Sequence, residues 1–567
     1  MKRRDFVVGS AVAGTAIAYE ACSSGSILTV PLNGPSYTLN VGYATYSLGG
    51  FPMKTRTYNG STVGPMMEVH PGQTLSVAIK NNLPPNPGVV VPSGKQTRIV
   101  PQYRNAHEMM MRRPSGTQSV TGTIDPMNNP HDLNTTNLHV HGIQTTPHLF
   151  QPVGTSDPNS MMIAVTPGTT YNYALPIPVD HPSGLFWYHP HHHGSTDVQV
   201  SGGMAGLIVV RGAIDQVPEI AGMREIFVVV QNINVNLNTT TNVYEYEPVP
   251  YALPSAGGYN DFPEFSMFTT NGQAIGWYNN NTGAGPTQLP VPQFQMRPGE
   301  IVRVRFLNGT NGFYLPLVLP GMTSYIIGFD GINLLAPVQT PMDYTGTVTP
   351  ANTQSVNAVL TSPANRLELL VQAPSTPGTY TLSSAAQNAF SVMFPAMPIA
   401  QFVVSGSPVA MTIPAALPMP TREYPLIADS EIINSRTLTF NQSITQPAGF
   451  EINLTGFWVW IGNAQYDEMR IDQTVTSGTA EEWTVLNPTS CAHPFHLHVN
   501  SFQVTKINGI AVTPQFYDTF NVPPGTTGAP GSITFRVRFK EFRGKTVYHC
   551  HILPHEDTGM MSNLQIN

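Results

Sequence analysis

Three times along this chain a turn opens into a run of alternating apolar and polar residues, and this recurrence limits the architecture more than any other feature. Pro71-Gly72-Gln73 leads into Thr74 to Asn81 (TLSVAIKN), Pro298-Gly299-Glu300 into Ile301 to Asn308 (IVRVRFLN), and Thr479-Ala480-Glu481 into Glu482 to Asn487 (EWTVLN). Alternation with period two marks a strand with one buried face. A second alternating segment follows in each third, at Tyr171 to Ile177, Arg366 to Val371 and Ile533 to Phe539. Short strands with turns between them predict Greek-key β-sandwiches, and the repetition predicts three copies of one sandwich in an all-β chain. Composition agrees: Gly 49 and Pro 53 in 567 residues, with 10% charged side chains, favour turns over long charged helices. Boundaries are expected near 212 and 406, giving units over 27–212, 213–405 and 406–567. Leu83 to Thr136, rich in Pro, Gly, Asn and Met without clear periodicity, is expected to be a long surface insertion.

The first 26 residues read as an export signal. Lys2, Arg3, Arg4, Asp5 and Phe6 precede a weakly apolar run from Val7 to Ala18, the layout of a cleaved signal peptide. The paired Arg3-Arg4 predicts the twin-arginine route, which carries folded, cofactor-loaded cargo, and so a periplasmic or secreted protein. Cys22 after Ala21 is a candidate lipid anchor, although Tyr19 and Glu20 fit that pattern poorly. No later stretch offers the ~18 uninterrupted apolar residues of a membrane span. A net charge of −7 supplies no basic field for nucleic acid, so a small or metallic substrate is the expected partner, and a monomer the expected state.

The histidines point to metal chemistry, because the chain has 17 of them beside three cysteines, in clusters. NLHVHG places His139 and His141 two apart, which on a strand puts both imidazoles on one face. FWYHPHHHG offers His189 and His191, with His192 and His193 as competitors in register. In AHPFHLHV, His496 and His498 share a face, while His493 before Pro494 serves a different metal. YHCHILPHEDTGMM puts His549 and His551 on one face of a strand and Cys550 on the other, so one tripeptide bridges two sites. A thiolate, two imidazoles and a distant thioether (Cys550, His493, His555, Met560) suit a trigonal blue-copper centre, and the remaining eight histidines suit copper bound to oxygen species. Structural zinc favours paired cysteines at short spacing, and no Cys-x-x-Cys occurs.

These four motifs resemble those of the multicopper oxidases, the family of laccases, bilirubin oxidases and bacterial cuprous oxidases, whose three cupredoxin domains match the three repeats. The resemblance implies four coppers per chain: one type 1, one type 2 and a type 3 pair. Type 1 would be held by His493, Cys550 and His555 with Met560 axial, type 2 by His139 and His496, and type 3 by His141, His189, His191, His498, His549 and His551. The family's W-[YH]-H-x-H pattern on Trp187-Tyr188 selects His189 and His191 over His192 and His193. It further implies that a donor gives single electrons near His493 or His555, that Cys550 passes them through His549 and His551, and that dioxygen leaves as water. Glu556, directly after His555, matches the acid that bacterial relatives place there, and Asp157 in GTSDPN matches the acid downstream of the first HxH motif; both are expected proton donors.

Two details depart from the pattern. Cys491, two residues before His493, reads as a buried filler. The run His107-Glu108-Met109-Met110-Met111 offers soft thioethers for Cu(I), or an adaptable apolar loop patch. A methionine at 560 is expected to lower the copper potential and favour easily oxidised donors. The expected activity is laccase-like oxidation of phenols or aromatic amines, the alternative a cuprous or manganese metallo-oxidase. A two-domain nitrite reductase fits poorly, since this chain carries all four motifs itself, and a non-enzymatic copper binder fits poorly because the ten histidines and Cys550 are intact.

Overall fold

Each strand read from the alternation lies at the centre of a repeated three-strand arrangement. In this computed structural model, which describes residues 4–5, 34–86, 93–104, 115–246, 263–279, 284–349, 355–389 and 392–567, Thr74–Asn81 runs parallel to Ser36–Leu48 and antiparallel to Thr170–Pro176. Ile301–Asn308 stands the same way between Glu225–Asn238 and Arg366–Gln372, and Thr479–Asn487 between Ile432–Ser443 and Gly531–Phe539. The turn before each carries a left-handed glycine: Gly72, Gly299 and Gly478 have φ of 83, 78 and 82°. That conformation costs glycine little and other residues more. The third strand therefore starts at Thr479, three residues before the alternation became clear, because its turn is Ser477-Gly478. Of the export segment only Arg4–Asp5 lies among the described residues, so Cys22, like His107 to Met111, falls outside them.

A second sheet closes each sandwich, again in one repeated order. In the first third Met67–Val69 pairs parallel with Gly206–Val210, followed by Gly184–His189 and His139–His141. In the last, Gln473–Val475 pairs parallel with Met561–Ile566, followed by Gly544–Cys550, His493–Leu497 and Thr519–Val522. The middle third repeats the plan with Gln293–Met296, Met397–Val404, Gly378–Ser384 and Leu315–Val318. Apolar cores fill the space between paired sheets, for example Val77, Ile79, Tyr188 and Ile208 in the first and Trp483, Phe535, Phe495 and Leu564 in the last. The fold is all-β and cupredoxin-like.

Two segments differ from expectation for identifiable reasons. Ile301–Asn308 is buried along its whole length, although it alternates, because its arginines meet a buried ion network between the first and middle sandwiches. Arg303 reaches Glu368 at 2.6 Å and Asp215 at 2.8 Å, Arg305 reaches Glu225 at 2.9 Å, and Arg211 ties in Glu68 at 2.7 Å. Removing one partner from such a network leaves a buried charge uncompensated. Arg303→Met is expected to cost about 3–5 kcal/mol, read as a lowered unfolding midpoint; a loss under about 1 kcal/mol, typical of exposed pairs, would contradict this.

Leu83 to Thr136 is not merely a surface insertion. It contains the hairpin Gln96–Gln102/Gly116–Gly122, whose Val100 and Val120, with Ile124, bury against Ile452, Leu454 and Trp458 of the last sandwich. The Tyr103 hydroxyl donates to Thr455 O at 3.1 Å, and Ile124 pairs with Ile452. A polar, solvent-facing side left too few apolar residues in the hairpin for a visible period.

Candidate metal centre

The histidine motifs of the first and last thirds meet at the seam between their sandwiches. His139–His141 and Gly184–His189 are antiparallel neighbours, with His189 opposite His139 and Trp187 opposite His141. His493–Leu497 and Gly544–Cys550 repeat this, with His496 opposite His549 and Phe495 opposite Cys550. Among the described residues, ligand atoms converge in four sets: His139, His141 and His496; His141, His189 and His551; His191, His498 and His549; and His493, Cys550 and His555. All ten histidines and Cys550 are buried. The first three sets interleave into one cluster, with His141 stacked on His496 at 3.8 Å and His139 on His498 at 4.0 Å between ring centroids. In the fourth, Cys550 Sγ lies 3.5 Å from His493 Nδ1 and 3.8 Å from His555 Nδ1. Met560 is buried in the same apolar cluster as Cys550, and its carbonyl accepts the Cys550 N–H at 3.1 Å. Phe457 lies 6.1 Å from the His555 ring and Tyr103 6.2 Å from Phe457, so the hairpin of the first third roofs this set.

The ring nitrogens are sorted by their outer partners. His496 Nδ1 donates to Asp518 O at 2.8 Å, His189 Nδ1 to Pro190 O at 2.9 Å and His549 Nδ1 to Cys550 O at 3.1 Å, each leaving Nε2 for the cluster. His141 is reversed: Nε2 meets Asp518 Oδ1 at 3.1 Å, and Nδ1 has no hydrogen-bond partner. His189 Nε2 and both nitrogens of His551 are likewise unpartnered. Burial drives these imidazoles neutral, His189 and His493 down to about 3 and His549 to about 4. His191 Nε2 and His498 Nε2 each stand 3.1 Å from His549 Nε2, so lone pairs of neutral rings converge where protons cannot serve them all. Buried acceptors left unmet are costly, and a bound cation serves each of them. Imidazole-only sets beside a thiolate–imidazole set fit copper.

Among the buried acids, Glu556 lies between two rings, Oε1 3.2 Å from His191 Nδ1 and Oε2 3.1 Å from His549 Nδ1. Burial first, and Asp557 next, hold its carboxyl well above the usual range. Asp157 is not brought to the cluster: it sits in an exposed turn, where its Oδ1 accepts the Asn159 N–H at 2.9 Å. The buried acid on the first HxH motif is instead Asp518, 377 residues beyond His141, in the segment FYDTF of the last third.

His192 and His193 stand outside the four sets; the His193 ring lies tilted against Tyr466, centroids 4.6 Å apart, and its Nε2 meets Asn128 Oδ1 at 3.3 Å. Cys491 is buried outside them too, its thiol pushed up to about 12 by burial. Sequence reasoning missed His148, which stacks on His139 at 5.3 Å and accepts the Val140 N–H at 3.1 Å, as well as Asp518 and Thr519, whose hydroxyl lies 3.2 Å from His141 Nε2 and 3.1 Å from His496 Nδ1. A lone histidine and an Asp-Thr pair carry no signal apart from cross-chain neighbours.

Comparison with known proteins agrees with this geometry. Family models described as multicopper oxidase match residues 120–214 and 440–567, the two segments that carry all four motifs. The chain is 22% identical to a laccase of Bacillus subtilis, covering 91% of this chain and 90% of that one, and 21% identical to a multicopper oxidase of Staphylococcus haemolyticus, covering 93% and 89%. Among solved structures, a multicopper oxidase of Campylobacter jejuni, described as a metallo-oxidase, aligns over 96% of this chain and 93% of its own with a TM-score of 0.64 at 22% identity. Multicopper oxidase models thus cover both ligand-bearing segments, and the similarity to proteins named multicopper oxidase or laccase runs along nearly the full length of the chain.

Proposed function

We propose that this protein is a laccase-like oxidase that removes single electrons from phenols or aromatic amines and reduces dioxygen to water. The observation that carries the reading is the tripeptide His549-Cys550-His551, whose thiol belongs to one ligand set while its flanking imidazoles belong to two others. His493, Cys550, His555 and Met560 would hold type 1 copper; His139 and His496 would hold type 2; His141, His189, His191, His498, His549 and His551 would hold the type 3 pair. Bound copper supplies one-electron redox chemistry, so that four donor oxidations match the four electrons and four protons taken by one dioxygen. The chain's residues do the rest. Cys550 and its neighbours give a covalent path between the sets, the buried cluster keeps bulk water out, and Glu556 holds a proton between His191 and His549. The relative named as a laccase supports the laccase-like reading.

The alternative, a cuprous or manganese oxidase, is separated by oxygen uptake of the copper-loaded protein with a methoxyphenol and, separately, with Cu(I). Dominant phenol turnover, unchanged when Met109, Met110 and Met111 are replaced by Ser, is expected. Dominant Cu(I) turnover that falls in the variant would overturn the laccase-like reading. Export through Arg3-Arg4 to the periplasm or beyond, and a monomeric state, belong to the same proposal. Among the described residues no helix is long and apolar enough to cross a membrane.

A further inference from the structure

The middle sandwich contributes no histidine to any ligand set, yet its Arg366 reaches the cluster through one carboxylate. Arg366 is fully buried. Its Nη1 donates to Asp518 Oδ1 at 3.0 Å, its Nη2 to Asp518 Oδ2, and Nη1 also to Ala364 O at 2.9 Å. Asp330 fixes the other side: Oδ1 accepts the Arg366 N–H at 2.9 Å, and Oδ2 accepts the backbone N–H of Asp518 and Thr519 at 3.2 and 3.3 Å. The Asp518-Thr519 pair then faces the histidines. Asp518 Oδ1 holds His141 Nε2 at 3.1 Å, and Asp518 O holds His496 Nδ1 at 2.8 Å. The approach is close enough that a Cβ on Gly142, which has φ of 82°, would stand 2.3 Å from both Arg366 Nη2 and Asp518 Oδ2.

We propose that Arg366 is a positioning residue: through the Asp518 carboxylate it sets the tautomer and ring orientation of His141, and by anchoring Asp518 it steadies the backbone carbonyl that orients His496, so the middle sandwich governs copper occupancy of a site to which it gives no ligand. The inference rests on the ligand assignment above. A carboxylate held at both oxygens by a planar guanidinium has one orientation, whereas a lysine ammonium satisfies one oxygen and leaves the carboxylate free to rotate. A carboxylate free to rotate no longer forces Nε2 of His141 to carry the proton, and Nδ1 loses its fixed role as ligand atom. Partners of this kind typically set metal affinity by about 10–100-fold.

The test compares Arg366→Lys with Arg303→Lys, an equally buried arginine of the same sandwich that touches no histidine. Copper per chain is measured against a competing chelator, together with the paramagnetic signal of the type 2 ion and the blue absorption of the Cys550 site. Arg366→Lys is expected to keep the blue absorption, to retain cluster copper about 10–100-fold more weakly and to alter the type 2 signal, while Arg303→Lys leaves all three unchanged. Full copper and an unaltered signal in Arg366→Lys would overturn the inference, as would equal losses in both variants with the blue absorption lost as well. A wild-type protein with no type 2 signal would overturn the ligand assignment and this inference with it.

Discussion

Cys550→Ser abolishes the blue absorption and oxygen uptake with every donor while the protein stays folded. Cys550 is the thiol of the fourth ligand set, and burial pushes its pKa well up, so a cation at that position is what converts it to thiolate. A serine hydroxyl keeps the shape without supplying a soft anionic ligand. The substitution also removes the sulfur from the path between the sets, whereas the eight imidazoles of the cluster keep all their outer partners. Copper should therefore fall by one ion per chain and not by all. Uptake that survives with phenols would mean that electrons enter elsewhere; loss of all copper would mean that Cys550 supports the whole fold.

Glu556→Gln has the second-largest expected effect, a fall in oxygen uptake of about 10²–10⁴-fold, the usual worth of a positioned general acid. The side chain stands between His191 Nδ1 and His549 Nδ1 at 3.2 and 3.1 Å, and it is fully buried. Glutamine preserves size and polarity but cannot release a proton. Because Glu556 belongs to none of the ligand sets, copper content and the blue absorption should be retained. A variant that loses cluster copper would make Glu556 an orienting partner of the two rings instead. Asp157→Asn, by contrast, is expected to leave uptake near wild type, since its carboxylate lies in an exposed turn.

Much of this architecture was legible because the relevant periods are short. His139 and His141, or His549 and His551, declare a shared strand face by their spacing alone, and Cys550 between them declares the opposite face. The strands Thr74–Asn81 and Ile301–Asn308 coincide with the alternating runs for the same reason. What could not be read arises from register between distant segments. Asp518 meets His141 across 377 residues, Arg366 meets Asp518 across 152, and Tyr103 meets Thr455 across 352. None of these has a local pattern, because each partner is chosen by the packing of whole sandwiches. The motif logic also misplaced Asp157: spacing downstream of an HxH pair says nothing about whether the loop turns inward.

Copper per chain, measured with oxygen uptake on the same reconstituted sample, tests the central claim most directly. Four ligand sets predict close to four coppers, blue absorption from one of them, and uptake that disappears when copper is stripped and returns when it is restored. One tightly held copper with no uptake on any donor would contradict the account and leave a copper-binding protein in place of an oxidase.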